Sequence, residues 1–210
     1  MSERLMRKSC VEFAADLAAK RSVPGGGAAA ALAGALAAAL CSMAGNFTVG
    51  KERYADAEAD VARLLADADS ARLRMLELAE EDARAFKPLA RAYGIPKDDP
   101  ERSEALEKAT KEAVEAPLRM MRELCGIIEL LEEMGQKGSK MLLSDVGCGA
   151  SLARAALEMA GFNVFVNTAS LQDRAFARAI EEECDGLLRG HLPRTDAVAR
   201  AVLDSMRGGA

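Results

Sequence analysis

Tryptophan is absent from the 210 residues, only 4% of them are aromatic, and a single histidine, His191, lies near the end. Sheet cores draw on aromatic and β-branched side chains, so a core limited to Ala, Leu, Val and Met points instead to helix packed on helix. The five cysteines, Cys10, Cys41, Cys125, Cys148 and Cys184, are odd in number, scattered, and never form a CxxC pair. With no signal-peptide pattern ahead of them they read as reduced thiols of a cytoplasmic protein, which excludes a disulfide scaffold and a zinc ribbon. No Lys/Arg cluster outweighs its acidic neighbours and the net charge is -5, so no nucleic-acid partner is expected. A convincing membrane span is also missing. The nearest stretch, Ala28–Ala44, is Ala-rich rather than Leu-rich, opens on glycines, and lacks aromatic or basic anchors. A chain of this length suits one domain over residues 1–210.

What the sequence does have is Ser22-Val23-Pro24-Gly25-Gly26-Gly27 followed by AAAALAGALAAALCSMAGN, ending at Asn46. Alanine is the best helix former and a proline followed by three glycines is not helical, so a helix should begin near Gly27. Leu32, Leu36, Leu40 and Met43 form its one apolar stripe, and the rest is nearly all Ala and Gly. Neighbouring helices can approach such a backbone closely, which places it in the middle of a bundle. Its amino end offers unpaired backbone N–H groups behind a glycine turn, suited to an anionic or polar group; a plain glycine hinge is the equal alternative.

The remaining periodicity predicts further helices. A short one runs from Cys10 to Lys20, with Ser9 as N-cap and Val11, Ala14, Ala15 and Ala18 on one face. A long one spans about Glu52 to Tyr93, with an apolar stripe from Val61 through Leu64, Met75, Leu78, Phe86 and Leu89 to Tyr93. After the loop Gly94–Pro100, another runs to about Met134, kinked at Pro117. A fifth covers Met141–Gly161, capped by Ser144 or Asp145. Phe162–Asn167 alternates like a strand but has no strand to pair with, so a helical continuation is preferred. The last helix covers Leu171–Leu188, and the tail beyond Arg189 is frayed or forms one more helix from Asp196 to Met206.

Few residues carry candidate chemistry. Asp82 lies three and four residues from Ala79, Leu78 and Phe86, so its carboxylate falls on the inward face, where burial raises its pKa toward the working range of a proton carrier. The alternative is an inward Asp paired with a cation or capping a neighbouring helix. Asp145 reads first as an N-cap and second as a catalyst. Asn163 and Asn167, one turn apart, offer amide donors and acceptors to a heterocycle, or satisfy helix ends. Lys51 suits the carboxyl end of the bare helix. His191 reads as a surface residue and the cysteines as core filling.

These blocks together carry a resemblance. The glycine turn with its Ala/Leu helix, Asn46-Phe47-Thr48-Val49-Gly50-Lys51, Glu81-Asp82-Ala83-Arg84-Ala85-Phe86, Tyr93-Gly94-Ile95-Pro96-Lys97, Ala116-Pro117-Leu118, Ser144-Asp145-Val146-Gly147 and Asn163-Val164-Phe165-Val166-Asn167 occur in this order. Over roughly residues 5 to 180 the chain resembles the cyclodeaminase domain of formiminotransferase-cyclodeaminase and the stand-alone methenyltetrahydrofolate cyclohydrolases of that family. The tail from about Asp185 is not covered. The resemblance implies an all-α, up-and-down bundle of long helices that forms a homodimer and acts on a folate one-carbon unit. It either opens the 5,10-methenyl ring with water or closes it with loss of ammonia, without metal or redox cofactor. On this reading Asp82 and Asp145 are the catalytic candidates, and Ser22, Gly25, Gly26, Gly27, Asn46, Lys51, Phe86, Asn163 and Asn167 border the substrate. The competing expectation is a non-catalytic helical scaffold or accessory subunit of the same fold.

Overall fold

The computed structural model describes residues 4–208, and the alanine- and leucine-rich composition folds there into helices alone. They are α1 (Cys10–Ala18), α2 (Gly26–Asn46), α3 (Glu58–Tyr93), α4 (Arg102–Lys137), α5 (Leu143–Thr168) and α6 (Arg174–Gly208). Short 3-10 turns at Leu5–Arg7, Glu52–Ala57 and Lys140–Leu142 join them. From α2 onward each helix runs antiparallel to the one before. The pairings that fix this are Gly27 with Asp82 and Gly45 with Leu65 for α2 and α3, then Gly149 with Leu131 and Gly161 with Met121 for α5 and α4. Gly147 against Val202 and Gly161 against Leu188 give the same sense to α5 and α6. The result is an up-and-down bundle.

At its centre lies α2, between α3, α4 and α5. The Leu stripe is not what faces inward. Leu36 is 50% and Met43 41% exposed, whereas Ala30, Ala31, Ala37, Ala38 and Cys41 are fully buried. The large side chains come from the neighbours. A Cβ on Gly34 would lie 2.6 Å from Met75 Cε and 2.8 Å from Leu124 Cδ2, and one on Gly45 would lie 2.8 Å from Leu65. Small residues go inward here because α3 and α4 supply the bulk, and close-packed interiors leave no room for both. The helix is long and apolar enough to cross a membrane, yet 61% of its most apolar stretch is buried within this fold.

Of the other expectations, some are corrected and some are borne out. In α1 only Phe13 is buried; Val11 is 80% exposed and Ala14, Ala15 and Ala18 face outward, because one phenyl ring buries more area than several methyl groups. Ser9 does cap this helix: Glu12 N donates to Ser9 Oγ at 3.2 Å, and Ser9 N to Glu12 Oε2 at 2.9 Å. α3 starts at Glu58, after the 3-10 turn, and its terminal Tyr93 is 54% exposed. α4 continues as one element through Pro117, as α3 does through Pro88. Neither Ser144 nor Asp145 caps α5; Leu142 holds that position with no side-chain bond, and α5 absorbs Phe162–Asn167. α6 begins on Asp173, whose Oδ1 accepts from Phe176 N at 3.0 Å. It runs through His191 and Pro193 without a break. Cys41, Cys125 and Cys184 are buried, but Cys10 and Cys148 are exposed and fill no core.

Candidate active site

Gly25 starts α2 in extended conformation and offers no side-chain cap. The first intrahelical bond runs from Ala29 N to Gly25 O at 3.1 Å, so the N–H groups of Gly26, Gly27 and Ala28 have no acceptor within the helix. What stands over this end is Asp82. A Cβ on Gly27 would lie 2.5 Å from Asp82 Oδ2 and 2.8 Å from Cγ, so the carboxylate occupies the space of a side chain that Gly27 lacks. The helical register of α3 explains the approach: Leu78 and Ala79, one turn earlier, are fully buried and turn the same face toward α2.

Asp82 has no ion pair among the described residues, and burial pushes its carboxyl up to about 6. A carboxyl that titrates near neutrality can both take and return a proton at working pH. On α5, Asn163 lies beside the preceding glycine, its Nδ2 3.3 Å from where a Gly26 Cβ would stand. Asn163 Nδ2 donates to Met159 O at 2.8 Å and Asn167 Nδ2 to Asn163 O at 2.9 Å.

These groups share one cleft of about 150 Å³. Of the residues expected at the site, Ser22, Gly25, Gly26, Gly27, Asp82, Phe86, Asn163 and Asn167 line it. Val23, Ala113 and Val166 line it too and were missed. Val166 was legible from its place three residues after Asn163; Ala113 had no signal, being one alanine among many. A larger cleft, of about 320 Å³, lies between α4 and α6, but its one carboxylate, Glu132, is engaged by Arg194 Nε at 2.9 Å.

Asn46, Lys51 and Asp145 do not reach the Asp82 cleft of their own chain. Asn46 and Lys51 follow from the carboxyl end of α2, about 30 Å along the helix from Gly26. Lys51 Nζ sits 5.9 Å from the Phe47 ring centroid instead. Asp145 is in the first turn of α5, and α5 runs antiparallel to α2, so it lies toward the same far end.

Four helices, α2, α3, α4 and α5, line the cleft around Asp82, and a bundle of this topology is found in a known class of protein. The formiminotransferase-cyclodeaminase family model covers residues 9–186, and the chain belongs to that family. It is 38% identical over 180 residues to the methenyltetrahydrofolate cyclohydrolase of Methylorubrum extorquens, an alignment covering 84% of this chain and 86% of that protein. Formimidoyltransferase-cyclodeaminase of Sus scrofa is 29% identical over 89% of this chain, which spans only 35% of that longer protein. The crystal structure of formiminotetrahydrofolate cyclodeaminase from Thermotoga maritima superposes with a TM-score of 0.83 at 30% identity, covering 95% of this chain and 99% of the other.

Proposed function

We propose that this chain is a folate one-carbon enzyme that opens the 5,10-methenyl ring of tetrahydrofolate, with Asp82 as the proton carrier. The observation that carries the proposal is Asp82 itself, an unpaired carboxyl with a pKa of about 6 set against the amino end of α2. The likeness to the Methylorubrum cyclohydrolase, over most of both chains, favours hydrolysis. Water adds to the methenyl carbon between N5 and N10 while the Asp82 carboxylate takes its proton. The tetrahedral carbon then collapses to a formyl group on N10, the bond to N5 breaks, and the protonated Asp82 returns its proton to N5. The second proton of the added water leaves to solvent, so the cationic ring becomes a neutral formyl product. Ring closure with loss of ammonia, as the Thermotoga protein's name describes, passes through the same kind of tetrahedral carbon. In that reaction Asp82 would take the proton of N10 and pass it to the departing nitrogen. Neither scheme uses a metal or redox cofactor.

Phe86, one turn beyond Asp82, offers a ring face to the pterin. The free N–H groups of Gly26 and Gly27 suit a polar pterin atom better than a glutamate carboxylate, because the Asp82 carboxylate already stands at that helix end.

A homodimer fits the outer face of α2. Ala29, Ala33, Leu36, Leu40, Met43 and Phe47 recur at alternating spacings of four and three, the seam of a helix pair, and all are partly or fully exposed. In an antiparallel pairing centred on Leu36, Gly26 and Asn46 both lie ten residues, roughly 15 Å, from the centre. Each chain's Asn46 end would then stand beside the other's glycine turn, which accounts for the residues stranded at the far end. The five unpaired cysteines suit a reducing, cytoplasmic setting.

The deciding experiment assays the purified chain on methenyltetrahydrofolate and on formiminotetrahydrofolate side by side. Loss of the near-ultraviolet absorbance of the methenyl compound, beyond the buffer rate, is expected. No turnover of either compound would leave the scaffold reading.

A further inference from the structure

We propose that Asn163 and Asn167 read the hydrogen-bond-donor edge of the pterin, its exocyclic 2-amino group and the neighbouring ring N–H, through their side-chain oxygens. This assignment rests on the folate reading above. The two amides do not present donor and acceptor interchangeably, as free asparagines would. Each spends an N–H on the carbonyl four residues earlier, Asn163 on Met159 O at 2.8 Å and Asn167 on Asn163 O at 2.9 Å. A backbone carbonyl can only accept, so in each case the atom facing it must be the nitrogen. Flipping either amide would set oxygen against oxygen. The helix therefore fixes which end of each amide is oxygen, and leaves each Oδ1, with its two lone pairs, and one N–H unspent. Because both line the cleft, two acceptors stand one turn apart on its α5 wall, and a ligand edge rich in N–H groups complements them.

The position within the cleft agrees. Asn163 touches the space over Gly26, and Asp82 the space over Gly27. Recognition and proton transfer thus occupy neighbouring stations along the first turn of α2, at two sides of one cleft. A pterin seated with its amino-pyrimidinone edge on α5 turns its other ring, which carries N5, toward α3 and Asp82. Asp82 is then spared from binding the amino group, in keeping with its lack of an ion pair among the described residues.

The test compares methenyltetrahydrofolate with its analogue bearing a methyl group in place of the 2-amino group. kcat/KM for both is measured in the wild type and in Asn163→Ala and Asn167→Ala. Alanine is the better helix former, and the ratio of the two substrates is internal to each variant, so a change in folded yield does not disturb it. The wild type should prefer the amino compound by about 10²-fold, the cost of leaving its buried acceptors without a donor. In both variants the preference should shrink to within about tenfold, chiefly through KM of the amino compound. A wild-type preference that survives in both variants overturns the acceptor assignment while leaving the folate reading intact. Wild-type protein that turns over neither of these compounds, nor formiminotetrahydrofolate, overturns the folate reading itself.

Discussion

Glu81 and Asp82 are adjacent in α3, yet their surroundings have opposite character. Glu81 turns toward α4, where its Oε2 lies 2.7 Å from Arg119, and its Oε1 lies 2.9 Å from Arg74 of its own helix. Burial alone would raise its carboxyl, but the hydrogen bond from Arg74 and the charges of Arg119, Arg74 and Arg84 outweigh that and hold it below the usual range. Asp82 turns about 100° further round the helix, toward α2, and meets no cation among the described residues, so burial acts unopposed. One carboxylate is thus kept ionised and structural, while its neighbour is left free to change its protonation state. The difference arises from which helix each one faces, and Gly27 lets the second carboxylate come close.

The sharpest way to break this contrast is Asp82→Asn, which should lower kcat by about 10²-fold or more with the protein still folded, whereas Glu81→Gln should leave kcat within a fewfold. Gly27→Ala comes next. Its Cβ would fall 2.5 Å from Asp82 Oδ2 and push the carboxylate aside, and a displacement of that order costs up to about 10²-fold in rate. A normal rate in Gly27→Ala would mean that the seat of the carboxylate does not matter.

The stability effects are smaller and should have opposite signs. Asp82 is raised from 3.8 to about 6, so the folded state binds its proton more tightly than the unfolded state does, and stability falls as pH rises from about 4 to 6. Above pH 6 the full cost, about 2–3 kcal/mol, is present. Asp82→Asn should therefore unfold at a higher temperature than wild type at pH 7.5, with the slope between pH 4 and 6 gone. Glu81 is lowered, so its stabilisation is present near neutrality and is lost as pH falls. Glu81→Gln should destabilise at pH 7.5 by less than about 1 kcal/mol, since the pairs are partly exposed. Thermal denaturation of both variants at pH 4 and 7.5 checks the signs.

Asp82 was readable from the sequence because it breaks an otherwise apolar stripe at helical spacing, and the glycine turn because a proline followed by glycines marks a helix boundary, which falls at Gly25. The inward face of α2 was not. Amphipathic reasoning sends the largest side chains to the core, but here Met75, Leu124 and Leu65 reach in from α3 and α4, and Gly34 and Gly45 receive them. Only the partner helices reveal which face is buried. For the same reason Phe13, rather than the alanines of α1, anchors that helix. The continuity of α6 through Pro193 was equally hidden: Leu192 packs on the core just before the proline, and just after it Arg194 binds Glu132 and Thr195 is buried, so tertiary contacts hold a helix that local propensity would end. Spacing alone also could not show that Asn46, Lys51 and Asp145 belong to the opposite end of the bundle from Asp82, because that depends on the antiparallel course of α2 and α5.

The pH dependence of kcat/KM for methenyl ring opening, measured from pH 5 to 8 with the buffer rate subtracted, tests Asp82 most directly. With Asp82 ionised as the proton acceptor, the wild-type rate should rise through an apparent pKa of about 6, and the residual rate of Asp82→Asn should lack that limb. A limb of unchanged midpoint in the Asn variant would show that another group carries the proton.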